Sequence, residues 1–301
     1  MSTGHKKEFT VQDYDLDATL ASGQAFRWTQ NADGWSGVVD RRWVKLQIFR
    51  NIITAETATP IADWNWLETF LQTETRLASI LATFPDDEPM RRAVATCRGL
   101  RLLRQEPWEC LASFILSSTK QIVQIRQIVA LLCERFGDRL TLPPGHDPAF
   151  SFPSAPRLAA VGEAELRACK MGFRAPYLLG TARMVAEGKI NLEQLGGSSV
   201  AAARAELLRL PGVGPKIADC VLLFAYGFPT AFPIDVWVMK ALRELYFPRR
   251  RVSARRLKQF AATHFGPHAG YAQQYLFHYM RTRDAASQHQ HENSRSPVRS
   301  R

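Results

Sequence analysis

The chain has 301 residues, with 39 Lys and Arg against 28 Asp and Glu, and a formal net charge of +11. Hydrophobic residues make up 46% and charged residues 22%, which is typical of a globular protein and excludes a fibrous or wholly disordered one. No apolar run approaches the roughly 20 residues of a membrane-spanning helix, so we expect none. Residues 1–8 are polar and charged, and we therefore expect no secretory signal.

Five cysteines stand far apart in the sequence, at positions 97, 110, 133, 169 and 220. An odd number without a signal peptide favours a reducing compartment over a disulfide framework. Because the sequence has no Cys-x-x-Cys pair and no Cys/His cluster, we expect neither structural zinc nor an iron–sulfur cluster. We expect no metal-ligating side chains and no cofactor.

The positive charge is concentrated in one part of the chain. Residues 1–104 carry 13 basic and 13 acidic side chains, whereas residues 105–283 carry 23 basic and 13 acidic ones. Such an asymmetry is typical of a domain that binds a polyanion, although a generic basic surface would give the same count.

The first hundred residues alternate as β-strands do. Short segments rich in β-formers, separated by Gly, Asn and Asp, predict an antiparallel meander with strands at 24–28, 34–39, 42–48 and 51–56. A helix is predicted over 64–81. Residues 1–104 are therefore predicted to form an α+β N-terminal domain.

From Pro107 onward, apolar residues recur with the period of a helix. Helices are predicted around 115–136 and over 155–168, 174–187, 199–209, 215–226, 235–246, 253–264 and 268–282. These elements predict an all-helical domain over 105–283. Residues 284–301 are polar and lack periodicity, which predicts a disordered basic tail.

One helical corner has an unusual composition. Residues 207–218 read LLRLPGVGPKIA, in which Gly212 and Gly214 permit a tight turn and Pro215 suits the first turn of a new helix. Free backbone amides and the positive end of the helix dipole make such a turn a phosphate-binding end. An ordinary helix–turn–helix corner is the simpler alternative.

Lys216 falls in the first turn of that second helix, where the helix dipole favours the neutral amine. A neutral lysine is a nucleophile that can form a Schiff base at a sugar carbon. From position alone, a lysine that contacts phosphate is the simpler interpretation. Asp235 follows in Phe232-Pro-Ile-Asp, at the expected N-cap of the next helix. Its carboxylate is either a cap alone or a group that also stabilises a cationic sugar and moves protons.

A hairpin, a lysine and a Pro-x-Asp at this spacing resemble the helix-hairpin-helix, Gly/Pro-rich, Asp (HhH-GPD) DNA glycosylases. The resemblance is to their 8-oxoguanine DNA glycosylase/AP lyase branch and extends over most of residues 10–282. Four further segments match that branch in order: 22–28 (SGQAFRW), 105–115 (QEPWECLASFI), 171–177 (MGFRAPY) and 269–277 (AGYAQQYLF).

The resemblance implies a bifunctional mechanism. Lys216 would attack C1′ of an extruded damaged nucleotide, and Asp235 would assist departure of the base. The damaged base would lie between Phe277 and Cys220, with Gln273 on its pairing edge and the carbonyl of Gly23 reading the N7 hydrogen. The residues implied to contact DNA are Phe173, Arg174, Gly212, Gly214, Ile217 and Thr119.

Each of these pocket and DNA-contacting residues also has a structural alternative, as a core residue, a loop anchor or a surface charge. The sequence departs from the branch at residues 117–121 (SSTKQ), where the animal enzymes have a run of Asn. It also departs at Gln124, which replaces a second Arg that reads the partner base in the family. Trp237 replaces a His that contacts phosphate in the family. Six cationic residues in 249–258 (RRRVSARRLK) are either a further phosphate contact or a solvated face.

The sequence therefore predicts an enzyme that excises 8-oxoguanine from duplex DNA and nicks the resulting abasic site. Two alternatives stay open: a monofunctional alkylated-base glycosylase and a non-catalytic, structure-specific DNA-binding protein. We expect DNA with oxidised guanine as the partner, no membrane partner, and a monomer. We expect an intracellular location in a reducing compartment. This would be the cytoplasm, at the nucleoid, in a bacterium, and the nucleus in a eukaryote.

Overall fold

The computed structural model describes the backbone of residues 5–118 and 120–295 and the side chains of 6–118 and 120–285. Thr119, one of the residues predicted to contact DNA, lies outside the described residues. No helix in the described ranges is both long and apolar enough to span a bilayer.

The N-terminal part is built on an antiparallel sheet, as the sequence predicts, but the sheet has five strands where four were predicted. Its strands lie in the order β1–β5–β4–β3–β2. Their bounds are β1 His5–Thr10, β2 Trp28–Asn31, β3 Gly34–Val39, β4 Arg42–Phe49 and β5 Ile52–Thr57. Strand β1 was not predicted, and it pairs with β5 at the edge of the sheet. The strand predicted at 24–28 was wrong for residues 24–27, which form a loop because the buried side chain of Gln24 bonds to the backbone of another segment. One face of the sheet packs on α1 (Leu16–Ala21) and α2 (Asn65–Leu71) through a core that includes Trp28, Leu46 and Leu67.

The predicted helix over 64–81 is two helices, because Gln72 adopts a left-handed conformation that ends α2. Helix α3 (Leu77–Leu81) follows, and then α4 (Glu88–Thr96), which Asp87 caps. Leu77 and Met90 pack in the large helical core rather than against the sheet. The helical body thus recruits part of the N-terminal sequence, and the boundary at 104/105 stays a prediction.

The second part is all helical, as predicted. Its first helices are α5 Pro107–Leu116, α6 Ile122–Phe136, α7 Ala155–Ala159, α8 Glu163–Leu166, α9 Ala175–Ala186 and α10 Val200–Leu208. They are followed by α11 Pro215–Val221, α12 Val236–Ala241, α13 Ala254–His264 and α14 Ala269–Arg295. Single π-helical turns extend α11 through Tyr226 and α12 through Tyr246. These two extended helices match the predicted 215–226 and 235–246. The predicted helix around 115–136 is instead divided between α5 and α6, and the predicted helix over 155–168 is divided between α7 and α8.

The chain differs from the sequence prediction at its C-terminal end. Helix α14 continues to Arg295, so residues 284–295 are helical where a disordered tail was predicted. Polar composition alone does not prevent a helix that is already nucleated from continuing, because each added residue gains one hydrogen bond without a new nucleus. The rest of that predicted tail, residues 296–301, lies outside the described residues.

Candidate active site

A cavity of about 760 Å³ lies where the loop at Gly23 meets the helical body. Its walls come from that loop, the end of α5, the start of α6, α11, the start of α12 and one face of α14. All six residues predicted to be catalytic or to bind the base line this cavity: Lys216, Asp235, Gly23, Cys220, Gln273 and Phe277. Residues that are up to about 250 positions apart in the sequence therefore share one recess.

The predicted hairpin between α10 and α11 is present. Gly212 has φ +76°, and a Cβ there would lie 2.7 Å from the Cβ of Tyr177. The turn therefore needs glycine both for its backbone conformation and for its close approach to Tyr177. Gly214 caps α11 and has open space around its Cα. Ile217 is buried beneath the turn. The hairpin thus presents the N-terminus of α11 without a side chain in front of it.

Lys216 is held by a serine at the end of α5. Its Nζ donates to Ser117 Oγ at 3.1 Å and lies 5.3 Å from the centroid of the Phe114 ring. Ser117 Oγ itself donates to the carbonyl oxygen of Phe114 at 2.7 Å. Because the only hydroxyl hydrogen is used on that carbonyl, the serine can only accept from the lysine.

Asp235 is the N-cap of α12, as predicted, and its Oδ1 accepts from the backbone N–H of Val238 at 2.8 Å. Burial raises the pKa of this carboxyl group, while the hydrogen bond from Val238 and the charge of Lys216 act in the opposite direction. A carboxylate with a raised pKa is a better proton acceptor than an exposed one. The residue is thus both a helix cap and a candidate proton acceptor beside Lys216.

The loop that carries Gly23 is fixed by two glutamines. Gly23 has φ +78°, and a Cβ there would lie 2.5 Å from Ile122 Cδ1. The amide of buried Gln24 donates to the carbonyl of Arg101 at 2.7 Å and accepts from the N–H of Leu103 at 2.8 Å. Gln274 donates to the carbonyl of Ser22 at 3.1 Å. Sequence reasoning missed both glutamines, although each stands beside a predicted pocket residue.

The inner wall of the cavity suits a flat polar ligand. Gln273 is only 3% exposed, and its Oε1 has no hydrogen-bond partner among the described residues. Leaving such an atom unpaired is costly, so a ligand that donates to it would be favoured. Burial raises the pKa of Cys220 to about 12, and the thiol therefore stays protonated. Cys220 can form a wall of the cavity but is not a second nucleophile.

The two residues predicted to act at the duplex gap differ in exposure. Phe173 is 54% exposed and stands beside Tyr177, with ring centroids 6.5 Å apart. Arg174 is only 2% exposed; it donates to the carbonyl of Met171 at 3.2 Å, and its guanidinium lies 4.2 Å from the ring of Phe173. Phe173 is accessible to a ligand, and its insertion into a duplex stays a prediction. Contact of Arg174 with a partner base stays a prediction and requires the side chain to leave its buried site.

The positions that depart from the family pattern have local roles. Gln124 accepts from the backbone N–H of Gln121 and closes a capping box at the start of α6. Lys120 and Trp237 line the cavity, and Lys240 Nζ lies 5.6 Å from the Trp237 ring. The six cationic residues of 249–258 are exposed on the loop before α13 and on its first turns. Their contact with DNA stays a prediction.

Comparisons with known proteins agree with this geometry. Residues 7–111 match the family profile of the 8-oxoguanine DNA glycosylase N-terminal domain. Residues 112–265 match that of the HhH-GPD superfamily base excision DNA repair proteins. A relative from Arabidopsis thaliana, N-glycosylase/DNA lyase OGG1, is 31% identical over 91% of this chain and 80% of its own length.

Two solved structures resemble the whole fold. The complex of MBOgg1 with a low-affinity DNA ligand has a TM-score of 0.88 at 31% identity, covering 94% of this chain and 98% of the other. The Clostridium acetobutylicum 8-oxoguanine glycosylase/lyase, bound to duplex DNA with cytosine opposite 8-oxoguanine, has a TM-score of 0.86 at 29% identity, covering 94% and 99%. The α+β architecture and the sequence resemblance are thereby confirmed: the chain belongs to the HhH-GPD superfamily of base excision DNA repair proteins, in its 8-oxoguanine DNA glycosylase branch.

Proposed function

We propose that this chain excises 8-oxoguanine from duplex DNA and then cleaves the strand at the abasic site through a lysine Schiff base. The observation that carries the proposal is that Lys216 and Asp235 line the same cavity. Three of the predicted base-binding residues line it as well: Gly23, Gln273 and Phe277. A nucleophile, a proton acceptor and a recess that can hold a base are the three parts that the reaction needs. The relatives described as N-glycosylase/DNA lyase and 8-oxoguanine glycosylase/lyase support the same activity.

Recognition begins with extrusion of the damaged nucleotide, which costs a few kcal/mol of stacking and pairing. Exposed Phe173 is suited to fill the gap left in the stack. The extruded base enters between Phe277 and Cys220 and donates to the unpaired Oε1 of Gln273. The carbonyl of Gly23 would accept the N7 hydrogen of 8-oxoguanine, a donor that guanine lacks.

In the proposed chemistry, Lys216 loses a proton to Asp235 and the neutral amine attacks C1′. The glycosidic bond breaks, and its electron pair leaves with the base, which takes up the proton held by Asp235. The nitrogen then gives up a proton and the sugar ring opens, with the C1′–O4′ electron pair going to O4′, so that a Schiff base forms between Lys216 and C1′. Loss of a C2′ proton expels the 3′ phosphate by β-elimination, and water later releases the lysine.

Ser117 positions the amine for this attack. Since its hydroxyl can only accept, it holds an N–H of the neutral lysine and leaves the nitrogen lone pair free. Ser117→Ala removes this acceptor without orphaning the carbonyl of Phe114, which still accepts from the N–H of residue 117 at 3.1 Å. We expect single-turnover excision to fall by up to about tenfold, as for one lost hydrogen bond to a neutral amine, with lesion binding retained.

Single-turnover rates across pH test this role, and Ser117→Thr, which keeps the hydroxyl, should recover most of the rate. Ser113→Ala is the matched control, because it makes the same change one turn earlier on α5, at a buried site outside the cavity. A Ser117→Ala enzyme with the rate and pH profile of the wild type would remove the serine from the mechanism.

The activity itself is tested by two assays on one labelled duplex with 8-oxoguanine opposite cytosine. Base release is measured by chromatography, and strand scission is measured on a gel without alkali. We expect both products, and neither from undamaged guanine. Release of the base without scission would identify a monofunctional glycosylase, and binding without either product would identify a non-catalytic DNA-binding protein.

We further propose that the enzyme acts as a monomer in a reducing compartment. One chain supplies the nucleophile, the proton acceptor and the recess for the base that the proposed reaction needs, and all five cysteines are free and buried. Sedimentation of the protein with and without duplex DNA tests the monomer: a 2:1 protein–DNA complex would contradict it.

A further inference from the structure

An arginine extends the base-binding face of α14. Gln273, Phe277 and Arg281 are spaced four residues apart, so they share one face of the helix, and all three line the cavity. Exposure increases along this face, from buried Gln273 through partly buried Phe277 and Arg281 to exposed Ala285. Arg281 therefore lies toward the mouth of the cavity, roughly 12 Å along the helix axis from Gln273.

The guanidinium of Arg281 forms no ion pair and no hydrogen bond with a described residue, and the charge of Asp235 acts on it only at longer range. It lies 5.4 Å from the centroid of the Phe277 ring. The two carboxylates of the cavity are engaged elsewhere, since Asp235 caps α12 and Asp284 pairs with Lys240. A partly buried charge without a partner is unfavourable, which indicates that a ligand completes the site.

A second arginine adds to the positive potential. Arg126 lies one turn after Ile122 on α6, and its Nε is buried with no partner among the described residues. Burial lowers the pKa of Arg281, and the charge of Arg126 lowers it further, against the opposing effect of Asp235. An anion at the mouth of the cavity would therefore be attracted by both charges and could accept from the guanidinium of Arg281.

We propose that Arg281 binds a phosphodiester next to the extruded nucleotide, and that Arg126 strengthens this contact electrostatically. The inference rests on the proposed function. A nucleotide whose base reaches Gln273 presents its backbone at the mouth, where Arg281 lies, and the phosphodiester is the anionic part of that nucleotide. Arginine suits this group because its planar N–H donors can bind two phosphate oxygens at once. Position 237, where the family resemblance implies a phosphate-contacting His, is Trp here, so Arg281 would supply a contact otherwise missing.

The test measures binding in a Lys216→Gln background, so that the lesion strand stays intact. Two duplexes of one sequence are compared, one with 8-oxoguanine and one with a tetrahydrofuran abasic analogue at the same position. We expect Arg281→Gln to weaken binding to both duplexes by about tenfold. The slope of log K against log salt should fall in magnitude by about 0.9, the value for one phosphate contact. Arg281→Lys should keep most of the slope.

Two further variants serve as controls. Arg281→Met removes the charge but keeps an apolar stem against Phe277, and it should behave like the Gln variant if the charge is what matters. Arg76→Gln removes an exposed charge from the other part of the chain and should leave the slope unchanged.

Weakening confined to the 8-oxoguanine duplex would mean that Arg281 contacts the base, and an unchanged salt slope would mean that it contacts no phosphate. Either result overturns the proposal. The tetrahydrofuran analogue carries no base at the lesion position. The phosphate contact could therefore still be measured on this duplex if the excision activity itself were absent.

Discussion

Lys216→Gln is expected to bind lesion-containing duplex but to lose both excision and strand scission. The amide cannot form a Schiff base, and loss of a nucleophile that works with a neighbouring acceptor lowers rates by at least about a thousandfold. Single-turnover assays with enzyme in excess measure the loss directly. Binding is expected to persist, because the recess for the base and the hairpin at α11 do not depend on the lysine amine.

Lys189→Gln is the matched control, since that lysine is exposed and pairs with Glu187 on the surface. It should excise and nick at the rate of the wild type. A Lys216→Gln protein that still cleaves fully would overturn the assignment of the nucleophile. Loss of scission alone, with base release intact, would assign excision to water and only the lyase step to the lysine.

Asp235→Asn is expected to lower excision by a hundredfold or more, as about 10² is the lower end of what a positioned general base contributes. Asn is as good an N-cap as Asp, so the N-terminus of α12 should remain capped by this variant. Asp235→Ala removes the cap as well and should cost about 1 kcal/mol more in the free energy of unfolding. Comparing the two variants separates the chemical role from the structural one. Excision at the wild-type rate by Asp235→Asn would remove this residue from the mechanism.

The raised pKa of Asp235 also gives a stability prediction with a definite sign. Because burial raises that pKa, the folded protein binds more protons than the unfolded chain, and this group lowers stability as pH rises above about 4. Asp235→Asn removes the effect. The variant should therefore gain stability relative to the wild type between about pH 4 and pH 7, measured as the difference in urea midpoint. A difference that stays constant across this range would contradict the raised pKa.

The sequence was sufficient to predict the parts of the site that have local signatures. The turn at Gly212 and Gly214, the lysine one position after Pro215 and the aspartate cap at 235 each depend on neighbours within a few residues, so their types and spacing identify them. The same holds for the strands β3 to β5, which short polar turns at 40–41 and 50–51 separate.

What the sequence could not predict depends on contacts between distant residues. Ser117 and Lys216 are 99 positions apart, and Gln274 and Ser22 are 252 apart, so no periodicity links them. Arg281 repeats the four-residue spacing of Gln273 and Phe277. Only the folded structure shows that this face of α14 lines the cavity. The burial of Arg174 and the continuation of α14 beyond residue 284 are likewise properties of the packed chain.

Borohydride trapping tests the central claim most directly, because it captures the covalent intermediate between Lys216 and the sugar. The purified protein is incubated with labelled duplexes that carry 8-oxoguanine opposite each of the four bases, and with undamaged guanine as the control. We predict a protein–DNA adduct on the damaged duplexes only, absent from Lys216→Gln, and its yield across the four partners will measure selectivity for the opposite base. Base release from the wild type without any adduct would contradict the Schiff-base mechanism.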